Sequence, residues 1–439
     1  MSDRVSVIGG GLAGCEAAWQ LAQRSLPVRL YEMKPARFSP AHTSPWLAEL
    51  VCSNSFRSDL PASAVGLLHE EMRRLDSLIL RAADACRVPA GQALAVDRGQ
   101  FSREVSQAIA GRPEVEVVRA EVTELPEGLV ILATGPLTSD ALAGEISEIC
   151  GEGLYFYDSI SPVVYADSLD YEQIFRASRY DPGEGDYLNI PLGREAYYAF
   201  VAELVRAEKV PLQRFEEARY FEGCLPIEVM AERGRDTLAF GPMKPVGLRD
   251  PRGGEPPFAV VQLRQEDKTE TLYNLVGFQT KLRIAEQRRI FRSLPGMAGA
   301  VFARYGSAHR NTFVCSPVLL DDQLQHRKRD GLYFAGQIAG VEGYVESAAL
   351  GLLAGIFVAG RALGAPAAPP PPTTALGALL RHLREAAPKN FQPMNVNYGL
   401  FPPLGQRGRT PKRERNLRMS ARALEDLAPW AAAVGSGCP

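Results

Sequence analysis

The order of apolar and polar positions at the start of the chain predicts a strand, a helix and a second strand. Val5-Ser-Val-Ile8 is a short apolar run, and the helical pattern Cys15-Glu-Ala-Ala-Trp-Gln-Leu-Ala22 comes soon after it. Val28-Arg-Leu-Tyr-Glu32 then predicts a second strand. Two short apolar strands separated by one helix indicate a β-α-β unit and a parallel sheet.

Further apolar segments extend this sheet. Val115-Glu-Val-Val118, Gly128-Leu-Val-Ile-Leu-Ala-Thr-Gly135 and Gly331-Leu-Tyr-Phe-Ala-Gly336 each predict a buried strand. A helical stretch is predicted from Leu67 to Cys86, and a long apolar helix is predicted to begin near Ser347. The parallel-sheet pattern is therefore present in both halves of the chain.

The segment between these halves has a different pattern. Residues 151 to about 275 hold many aromatic residues and turns such as Asp181-Pro-Gly-Glu-Gly185. They also hold short segments of alternating polarity such as Thr237-Leu-Ala-Phe240, which we interpret as a strand. This pattern predicts an inserted α+β domain. Met33 to Ser63, which are rich in Ser, Pro and Asn, are predicted to form a loop.

The turn between the first strand and the first helix is rich in glycine and fits the motif G-x-G-x-x-G. The first glycine of such a motif permits a tight turn, the second lets backbone amides approach a pyrophosphate, and the third lets helix and strand pack closely. The helix N-terminus adds unpaired N–H groups, and an acid at the end of the second strand is placed to bind ribose hydroxyls. The predicted dinucleotide site therefore consists of Gly9, Gly10, Gly11, Leu12, Ala13, Gly14 and Glu32.

The strands that end in Ala-Thr-Gly and Ala-Gly resemble those of two-dinucleotide-fold flavoproteins, in which such segments return the chain to the FAD domain. This resemblance adds Thr134, Gly135, Gly336, Gln337 and Gly343 to the predicted cofactor site. We predict an α/β fold, a Rossmann-like FAD-binding domain of this type with the inserted α+β domain. The predicted segments are 1–150 (FAD-binding domain, first part), 151–275 (inserted substrate domain), 276–365 (FAD-binding domain, second part) and 366–439 (Pro-rich linker and basic C-terminal segment).

The composition, 46% hydrophobic and 23% charged, is typical of a soluble globular protein. No apolar run is long enough to span a membrane, and the nucleotide motif occupies the place of a signal peptide. We therefore expect a cytoplasmic protein with no membrane partner.

The charge is uneven along the chain. Residues 281–439 hold 21 Lys+Arg against 10 Asp+Glu, a net of +11, whereas residues 1–280 carry a net of −13. The basic part, with its run from Arg407 to Arg418, favours a polyanionic partner. Attraction between two oppositely charged domains explains the same numbers equally well.

The seven cysteines include no C-x-x-C pair, and the five histidines show no paired spacing, so neither a disulfide framework nor a metal site is predicted. Cys52 lies in a polar loop near Arg57, and Cys224 lies in a turn shaped by Gly223 and Pro226. These two are candidates for reactive thiols, which need partial exposure and surroundings that favour the thiolate. The remaining cysteines are interpreted as structural, with Cys315 in an apolar strand: Cys15, Cys86, Cys150, Cys315 and Cys438.

Five long segments resemble one protein family over nearly the whole chain. They are Leu50–Ser58, Phe221–Ala231, Phe240–Asp250, Tyr273–Leu282 and Phe334–Tyr344. The family is that of the folate- and FAD-dependent tRNA (uracil-5-)-methyltransferases, which make the ribothymidine of the T-loop.

The resemblance implies an activity and a set of cofactors. FAD is the implied flavin, 5,10-methylenetetrahydrofolate the carbon donor, and NAD(P)H the reductant, with the choice between NADH and NADPH left open. The implied partners are folate and the T-arm of tRNA, and no protein partner is implied. The oligomeric state is not indicated by the sequence.

The resemblance also implies roles for three residues. Uracil C5 becomes nucleophilic when a thiolate adds at C6, and the two family cysteines match Cys224 and Cys52. We assign the C6 attack to Cys224 and an acid–base or protecting role near the flavin to Cys52, and the reverse assignment stays open. His309 matches the position that stacks the pterin of folate against the isoalloxazine.

Two other functions are considered. A flavoenzyme of the glucose-inhibited-division type, which modifies the wobble uridine, shares the flavin fold and folate use but is longer and works with a GTPase. A non-catalytic RNA-binding redox flavoprotein requires that the cysteines be dispensable. A plain NAD(P)H–thiol oxidoreductase is disfavoured because the sequence has neither a C-x-x-C pair nor a second dinucleotide motif.

Overall fold

The structure is a computed structural model, and it describes residues 4–151, 154–181, 183, 185–210, 225–253, 255–405 and 411–435. For residues 154–159, 308–312 and 390 it describes the backbone alone.

Strands and helices are numbered in chain order. The strands are β1 (Val5–Ile8), β2 (Val28–Tyr31), β3 (Ser55–Ser58), β4 (Arg87–Val88), β5 (Ala93–Val96), β6 (Val115–Val118), β7 (Val130–Leu132), β8 (Leu154–Ser159), β9 (Val163–Tyr165), β10 (Phe175–Arg176), β11 (Tyr187–Leu192), β12 (Ala259–Gln265), β13 (Leu272–Leu275), β14 (Phe302–Arg304), β15 (Ala308–Phe313) and β16 (Leu332–Phe334). The helices are α1 (Leu12–Gln23), α2 (Ala64–Arg74), α3 (Leu78–Ala85), α4 (Arg98–Ala110), α5 (Asp140–Cys150), α6 (Arg194–Arg206), α7 (Ile227–Glu232), α8 (Thr237–Phe240), α9 (Ile284–Phe291), α10 (Ser316–Leu319), α11 (Tyr344–Ala362), α12 (Ala375–Glu385) and α13 (Lys412–Gly435).

A parallel sheet with the strand order β16-β7-β1-β2-β6 forms the centre of the fold. Its register aligns Ile8 with Tyr31 on one side and with Leu132 on the other, and Leu132 with Phe334. Four strands therefore end at one edge, where ligands bind in open α/β sheets. The predicted α/β fold class is confirmed.

Helix α11 packs on this sheet beside α1. It is long and apolar enough to cross a membrane by length and composition, yet 78% of its most apolar window is buried inside the protein. Such extensive burial is typical of a core helix. Helix α11 shares one hydrophobic core with α1, α2, α3, α12 and α13.

The second sheet is antiparallel, with the order β10-β11-β12-β13-β9-β14. Its strands come from both sides of residue 275, where the sequence placed the end of the inserted domain. We propose that this domain continues at least to Arg304, the last residue of β14. Two smaller antiparallel sheets, β15-β8 and β3-β5-β4, complete the described part of the chain.

The structure corrects two predicted helical or strand segments. The helix predicted from Leu67 to Cys86 is two helices, because the backbone turns at Asp76, where φ is +53°, and Ser77 caps α3 by accepting from the Leu80 N–H. The strand predicted at Thr237–Phe240 is helix α8. Four residues of alternating polarity do not distinguish a strand from one helical turn, and Leu and Ala favour the helix.

The structure also corrects three smaller predictions. Cys315 is not in a strand but occupies the N-cap position of α10, whose second residue is Pro317, and proline cannot continue a hydrogen-bonded ladder. The predicted loop 33–63 contains the short strand β3. Helix α11 begins at Tyr344, three residues before the predicted start.

The C-terminal helices are part of the main core. The buried carboxylate of Glu71 in α2 accepts the N–H groups of Ala375 and Leu376 at 2.7 and 3.0 Å and so caps α12. The Ser420 hydroxyl of α13 donates to the Pro61 carbonyl at 2.7 Å. The described part of the basic segment is therefore a docked helix, and Lys412, Arg413, Arg415 and Arg418 lie exposed on it.

Candidate functional site

A cleft lies at the carboxyl edge of the central sheet, and we call it the first cleft. It holds roughly 1060 Å³ of space, part of it open to solvent. Ten of the predicted cofactor residues line it: Gly9, Gly10, Gly11, Leu12, Ala13, Glu32, Thr134, Gly135, Gly336 and Gln337. The motifs that the sequence singled out separately are thus assembled in one place.

The geometry of the glycine motif allows a pyrophosphate to bind close to its backbone N–H groups. Within the described part of the chain, no heavy atom lies within 4 Å of the position that a Cβ on Gly11 would take, so this residue faces open space. A Cβ on Gly14, in contrast, would lie 1.8 Å from the Gly9 carbonyl oxygen, so Gly14 serves helix–strand packing. Helix α1 has no side-chain cap and no acid in its first turn, which leaves its first N–H groups available to an anion.

Glu32 is held in position by the backbone. It is 7% exposed, and its carboxylate accepts the N–H groups of Gly10 at 3.1 Å and of Lys34 at 2.9 Å. A carboxylate has about four acceptor sites, so two remain for ribose hydroxyls.

A second cleft adjoins the first and contains Cys52. The two clefts share Val51, Pro136, Leu137, Gln337 and Tyr344 as lining residues. Gly343, predicted as a cofactor residue, lines this second cleft instead of the first. The two spaces therefore meet beside Cys52, which is half-buried.

The hydroxyl of Tyr344 holds the Cys52 loop. It accepts the N–H groups of Cys52 and Ser53 at 2.8 and 3.1 Å, and it lies 2.9 Å from the Cys52 sulfur. Because the two amides occupy both acceptor positions of the hydroxyl, its proton points to the sulfur. Burial, together with the neighbouring Cys52, raises the pKa of Tyr344 well above its usual range, so the hydroxyl remains a donor.

Three arginines from separate elements donate hydrogen bonds to the same loop. Arg98 donates to the Leu50 carbonyl and Arg304 to the Val51 carbonyl, each at 2.7 Å. Arg264 donates through Nη2 to the Ser53 hydroxyl at 2.7 Å and through Nε to the Asn54 side chain at 2.8 Å. Guanidinium groups therefore hold the backbone before Cys52 and the side chains of the two residues after it. We call Arg98, Arg264 and Arg304 the arginine cluster.

Glu266 is the carboxylate that the described structure places against this cluster. It is 4% exposed and forms an ion pair with Arg98, with Nη2 and Oε1 3.0 Å apart. Burial would lower the pKa of Arg98, but Glu266 more than compensates and raises it. Burial and the charge of Arg98 lower the pKa of Arg304 to about 10, and burial lowers that of Arg264. Positive charge thus exceeds negative charge beside Cys52.

Two predicted site residues are less fully described. Cys224 lies outside the described residues; Ile227, three positions further along, donates its N–H to the carbonyl of Gln279, a lining residue of the second cleft, at 2.7 Å. His309 lies in β15 opposite Asp158 of β8, and its side chain is not described. Ile160 and Ser161, which follow β8, line the second cleft.

The described cysteines predicted to be structural have surroundings that disfavour a thiolate. Burial raises the pKa of Cys15 far above its usual range and raises that of Cys150 to about 11. Burial also raises the pKa values of Cys86 and Cys315. Cys438 lies outside the described residues.

Sequence reasoning missed Tyr344 and the arginine cluster. A signal existed for Arg264, because an arginine inside the otherwise mostly apolar run Ala259-Val-Val-Gln-Leu-Arg-Gln265 is buried only with partners. Tyr344 stood at the end of a segment already singled out for its family resemblance. Arg98 and Arg304 carry no comparable local signal.

Comparisons with known proteins agree with this geometry. The family model described as Glucose inhibited division protein A matches residues 4–366. A relative from Geobacter sulfurreducens is 59% identical over 436 residues, covering 99% of this chain and 100% of its own, and one from Syntrophus aciditrophicus is 57% identical over 432 residues, covering 98% of each. Both are named methylenetetrahydrofolate--tRNA-(uracil-5-)-methyltransferase TrmFO.

A solved structure shares the fold. Aquifex aeolicus GidA superposes with a TM-score of 0.72 at 17% identity, covering 98% of this chain and 73% of that one. At this identity the likeness concerns the fold alone. It agrees with the FAD-domain architecture predicted from the sequence.

Proposed function

The chain belongs to the methylenetetrahydrofolate--tRNA-(uracil-5-)-methyltransferases, within the Glucose inhibited division protein A family, and we infer that it methylates C5 of a uracil in tRNA. FAD and methylenetetrahydrofolate are its cofactors, and the reduced flavin supplies the hydride that turns the transferred carbon into a methyl group. We further propose NAD(P)H as reductant, the T-arm as the part of tRNA that is modified, no protein partner, and a cytoplasmic location.

The observation that carries the proposal is the position of Cys52. The first cleft is lined by the dinucleotide motif, and it shares five lining residues with the second cleft beside the Cys52 loop. A uracil in the second cleft would therefore lie beside the Cys52 thiol and next to the cleft whose residues would hold the cofactor. The lining residues Arg57, Asn395 and Gln279 give this cleft polar groups for a base and a pterin.

The proposed chemistry divides between two cysteines. The Cys224 thiolate adds to C6 and makes C5 nucleophilic, and Cys52 exchanges the proton at C5. The hydrogen bond from Ile227 to Gln279 supports this assignment, since it ties the chain that follows Cys224 to the wall of the second cleft. We propose that His309 stacks on the pterin, because β15 pairs with β8, which leads directly into this wall.

The test uses T-arm RNA with 5-fluorouridine at the target position. Cys224→Ala should abolish both methyl transfer and the covalent RNA adduct while keeping FAD. Cys52→Ala should also abolish turnover but still form the adduct, because addition at C6 precedes the step at C5. Cys150→Ala is the matched control and should keep wild-type activity, since this cysteine lies outside both clefts.

Each alternative has its own outcome. An adduct that persists in Cys224→Ala and vanishes in Cys52→Ala would reverse the two roles. Carboxymethylaminomethyl modification of the wobble uridine in an anticodon stem-loop, in place of T-arm methylation, would support the wobble-uridine function. Full activity of either cysteine variant would remove this mechanism, whereas absence of methyl transfer by the wild-type protein would leave a non-catalytic RNA-binding flavoprotein.

A further inference from the structure

The three most exposed large hydrophobic side chains of the described chain belong to one part of the inserted domain. Phe240 is 86% exposed, Tyr180 74% and Val246 59%. Phe240 and Val246 belong to residues 240–249, which we call the rim loop. The ring of Tyr180 packs against Gly247 of this loop, whose carbonyl accepts the Tyr180 N–H at 2.8 Å. Exposed apolar side chains that are grouped in this way mark a surface that binds a partner.

The rim loop lies beside the second cleft. Pro242 packs on Gly277, which lines that cleft, and a Cβ on Gly277 would lie 2.6 Å from the Cβ of Pro242. Phe240 is two positions before Pro242, so the Cα atoms of these two residues lie within about 7 Å of each other. The exposed ring of Phe240 is therefore at the edge of the cleft in which the uracil would react.

The backbone of the rim loop is anchored to the inserted domain. Arg179 donates to the Val246 carbonyl at 2.6 Å and to the Lys244 carbonyl at 2.9 Å. The Met243 side chain is fully buried, and the Met243 carbonyl accepts the Val260 N–H of β12 at 2.9 Å. The exposed side chains are thus carried by a preorganised loop, which lowers the entropy lost when a partner binds.

The charges of the rim loop fit an anionic partner. Lys244 and Arg249 are exposed, and residues 240–249 contain no Asp or Glu. Aromatic rings next to exposed cations bind single-stranded nucleic acid, because bases stack on the rings and phosphates meet the cations. A symmetric contact between two copies of the chain would instead bring the same cations together, which repel each other. The surface therefore favours RNA over a second copy.

The reaction in the second cleft requires RNA with an unstacked base. A thiolate adds to C6 from above the plane of the uracil ring, so a neighbouring base cannot cover that face, and the uracil has to leave its stack. The base next to it then loses a stacking partner. A flat apolar side chain at the edge of the cleft can replace that partner, as inserted apolar side chains do in other nucleic-acid complexes.

We propose that the rim loop binds the RNA beside the target uracil, and that the ring of Phe240 stacks on the base that loses its neighbour when the uracil enters the second cleft. Tyr180 and Val246 extend the apolar surface, and Lys244 and Arg249 contact the adjacent phosphates. Phe240 is thus a positioning residue. The proposal rests on the proposed function, because the uracil in the second cleft is its point of reference.

The test measures stacking directly, with FAD-loaded protein and no folate. Two T-arm RNAs carry 2-aminopurine, one on the 5′ side and one on the 3′ side of the target uridine; this base fluoresces weakly when stacked and strongly when unstacked. With the wild type, one of the two reporters should stay dark at saturating protein. Phe240→Ala and Phe240→Leu should brighten that reporter and raise the Kd for the RNA by about 5- to 100-fold, the range for one base stack.

Two further variants separate the ring from other effects. Phe240→Trp keeps a flat aromatic ring and should retain the dark reporter and the wild-type Kd. Leu363→Ala is the matched control, since Leu363 is 43% exposed and follows the last residue of α11, a 19-residue helix that begins at the clefts. It should change neither quantity. Flavin absorbance and circular dichroism should match the wild type in every variant, because the substituted side chains are exposed.

Methyl transfer gives a second readout. The kcat/KM for T-arm RNA should fall in Phe240→Ala by about the factor by which its Kd rises, and Phe240→Trp should restore it. Equal Kd and reporter signals in the wild type, Phe240→Ala and Phe240→Leu would overturn the proposal. It would equally fail if Phe240→Leu behaved as the wild type, since apolar volume and not the ring would then bind the RNA.

The remaining outcomes separate the surface from the proposed function. Sedimentation of the wild type as a dimer and of Phe240→Ala as a monomer, both without RNA, would assign the surface to a second copy of the chain and overturn the proposal. Ring-dependent RNA binding by a wild type that transfers no methyl group would support the RNA surface and contradict the proposed function. Normal methyl transfer with no effect of Phe240 on the reporters would do the reverse.

Discussion

The contrast between Gly11 and Gly14 gives a direct test of the cofactor site. Both belong to the glycine motif, but a Cβ on Gly11 would enter open space, whereas a Cβ on Gly14 would lie 1.8 Å from the Gly9 carbonyl oxygen. Gly11→Leu should therefore fold normally and lose FAD. Gly14→Ala should lose stability, because helix α1 and strand β1 must separate to admit the methyl group.

The loss of FAD affinity expected in Gly11→Leu can be calculated from the hydrogen bonds that the leucine side chain would block. A leucine side chain would occupy the space that brings a pyrophosphate to the first N–H groups of α1. Loss of two charge-assisted hydrogen bonds, at about 1.5–3 kcal/mol each, amounts to about 3–6 kcal/mol. At 1.4 kcal/mol per factor of ten, the Kd for FAD should rise by about 10²- to 10⁴-fold.

The measurement is titration of the apo-protein with FAD, followed by flavin fluorescence, together with thermal unfolding of the apo-protein. Gly144→Ala is the matched control: it is an exposed helical glycine with no heavy atom of the described chain within 4 Å of the added Cβ. It should bind FAD normally and gain up to about 1 kcal/mol of helix stability. Wild-type FAD affinity in Gly11→Leu, or wild-type stability in Gly14→Ala, would refute the reasoning.

Two further predictions concern stability and RNA binding. Glu16 is fully buried, and its carboxylate accepts hydrogen bonds from the Ser77 hydroxyl at 2.7 Å, the Ile79 N–H at 3.0 Å and the Gln20 side chain at 3.1 Å. Glu16→Ala should therefore lower the free energy of unfolding, measured with denaturant, by about 3 kcal/mol or more, and Glu16→Gln should lower it clearly less. A loss below about 1 kcal/mol would show that water satisfies these donors. Affinity for tRNA should fall steeply with salt, with a log–log slope of several units for ~4–6 phosphate contacts, and joint neutralisation of Arg413, Arg415 and Arg418 should reduce that slope by about 2–3. An unchanged slope would mean that this face of α13 only meets solvent.

The cofactor half of the site was predictable because its signals are local. Each predicted segment carries its own strand, and each places its glycine, threonine or acid just after the strand ends. In a parallel sheet the ends of such strands meet at one edge, so Gly11, Glu32, Gly135 and Gly336 had to converge once the sheet was recognised.

The environment of Cys52 was not predictable in this way, because it depends on the register of a second sheet. Arg264 and Arg304 lie on β12 and β14 of the antiparallel sheet, and Arg98 begins a helix that follows a third sheet. Antiparallel strands place a side chain on the opposite face when their register slips by one residue. Nothing near Cys52 in the chain specifies that register. The sequence therefore predicted the polar loop but not the arginines that bind it.

Tyr344 shows how the fold joins these two halves. The central sheet directs β16 to the same edge as β1, so the helix that follows, α11, begins beside the first cleft, and its first residue lines both clefts. That residue also holds the Cys52 and Ser53 amides, so the sulfur is positioned by the element that forms part of the cofactor wall. A displacement of the start of α11 would move the wall of the first cleft and the Cys52 loop together. The parallel sheet therefore sets the position of the Cys52 thiol relative to the first cleft, and the arginines of the second sheet set the electrostatic surroundings of that thiol.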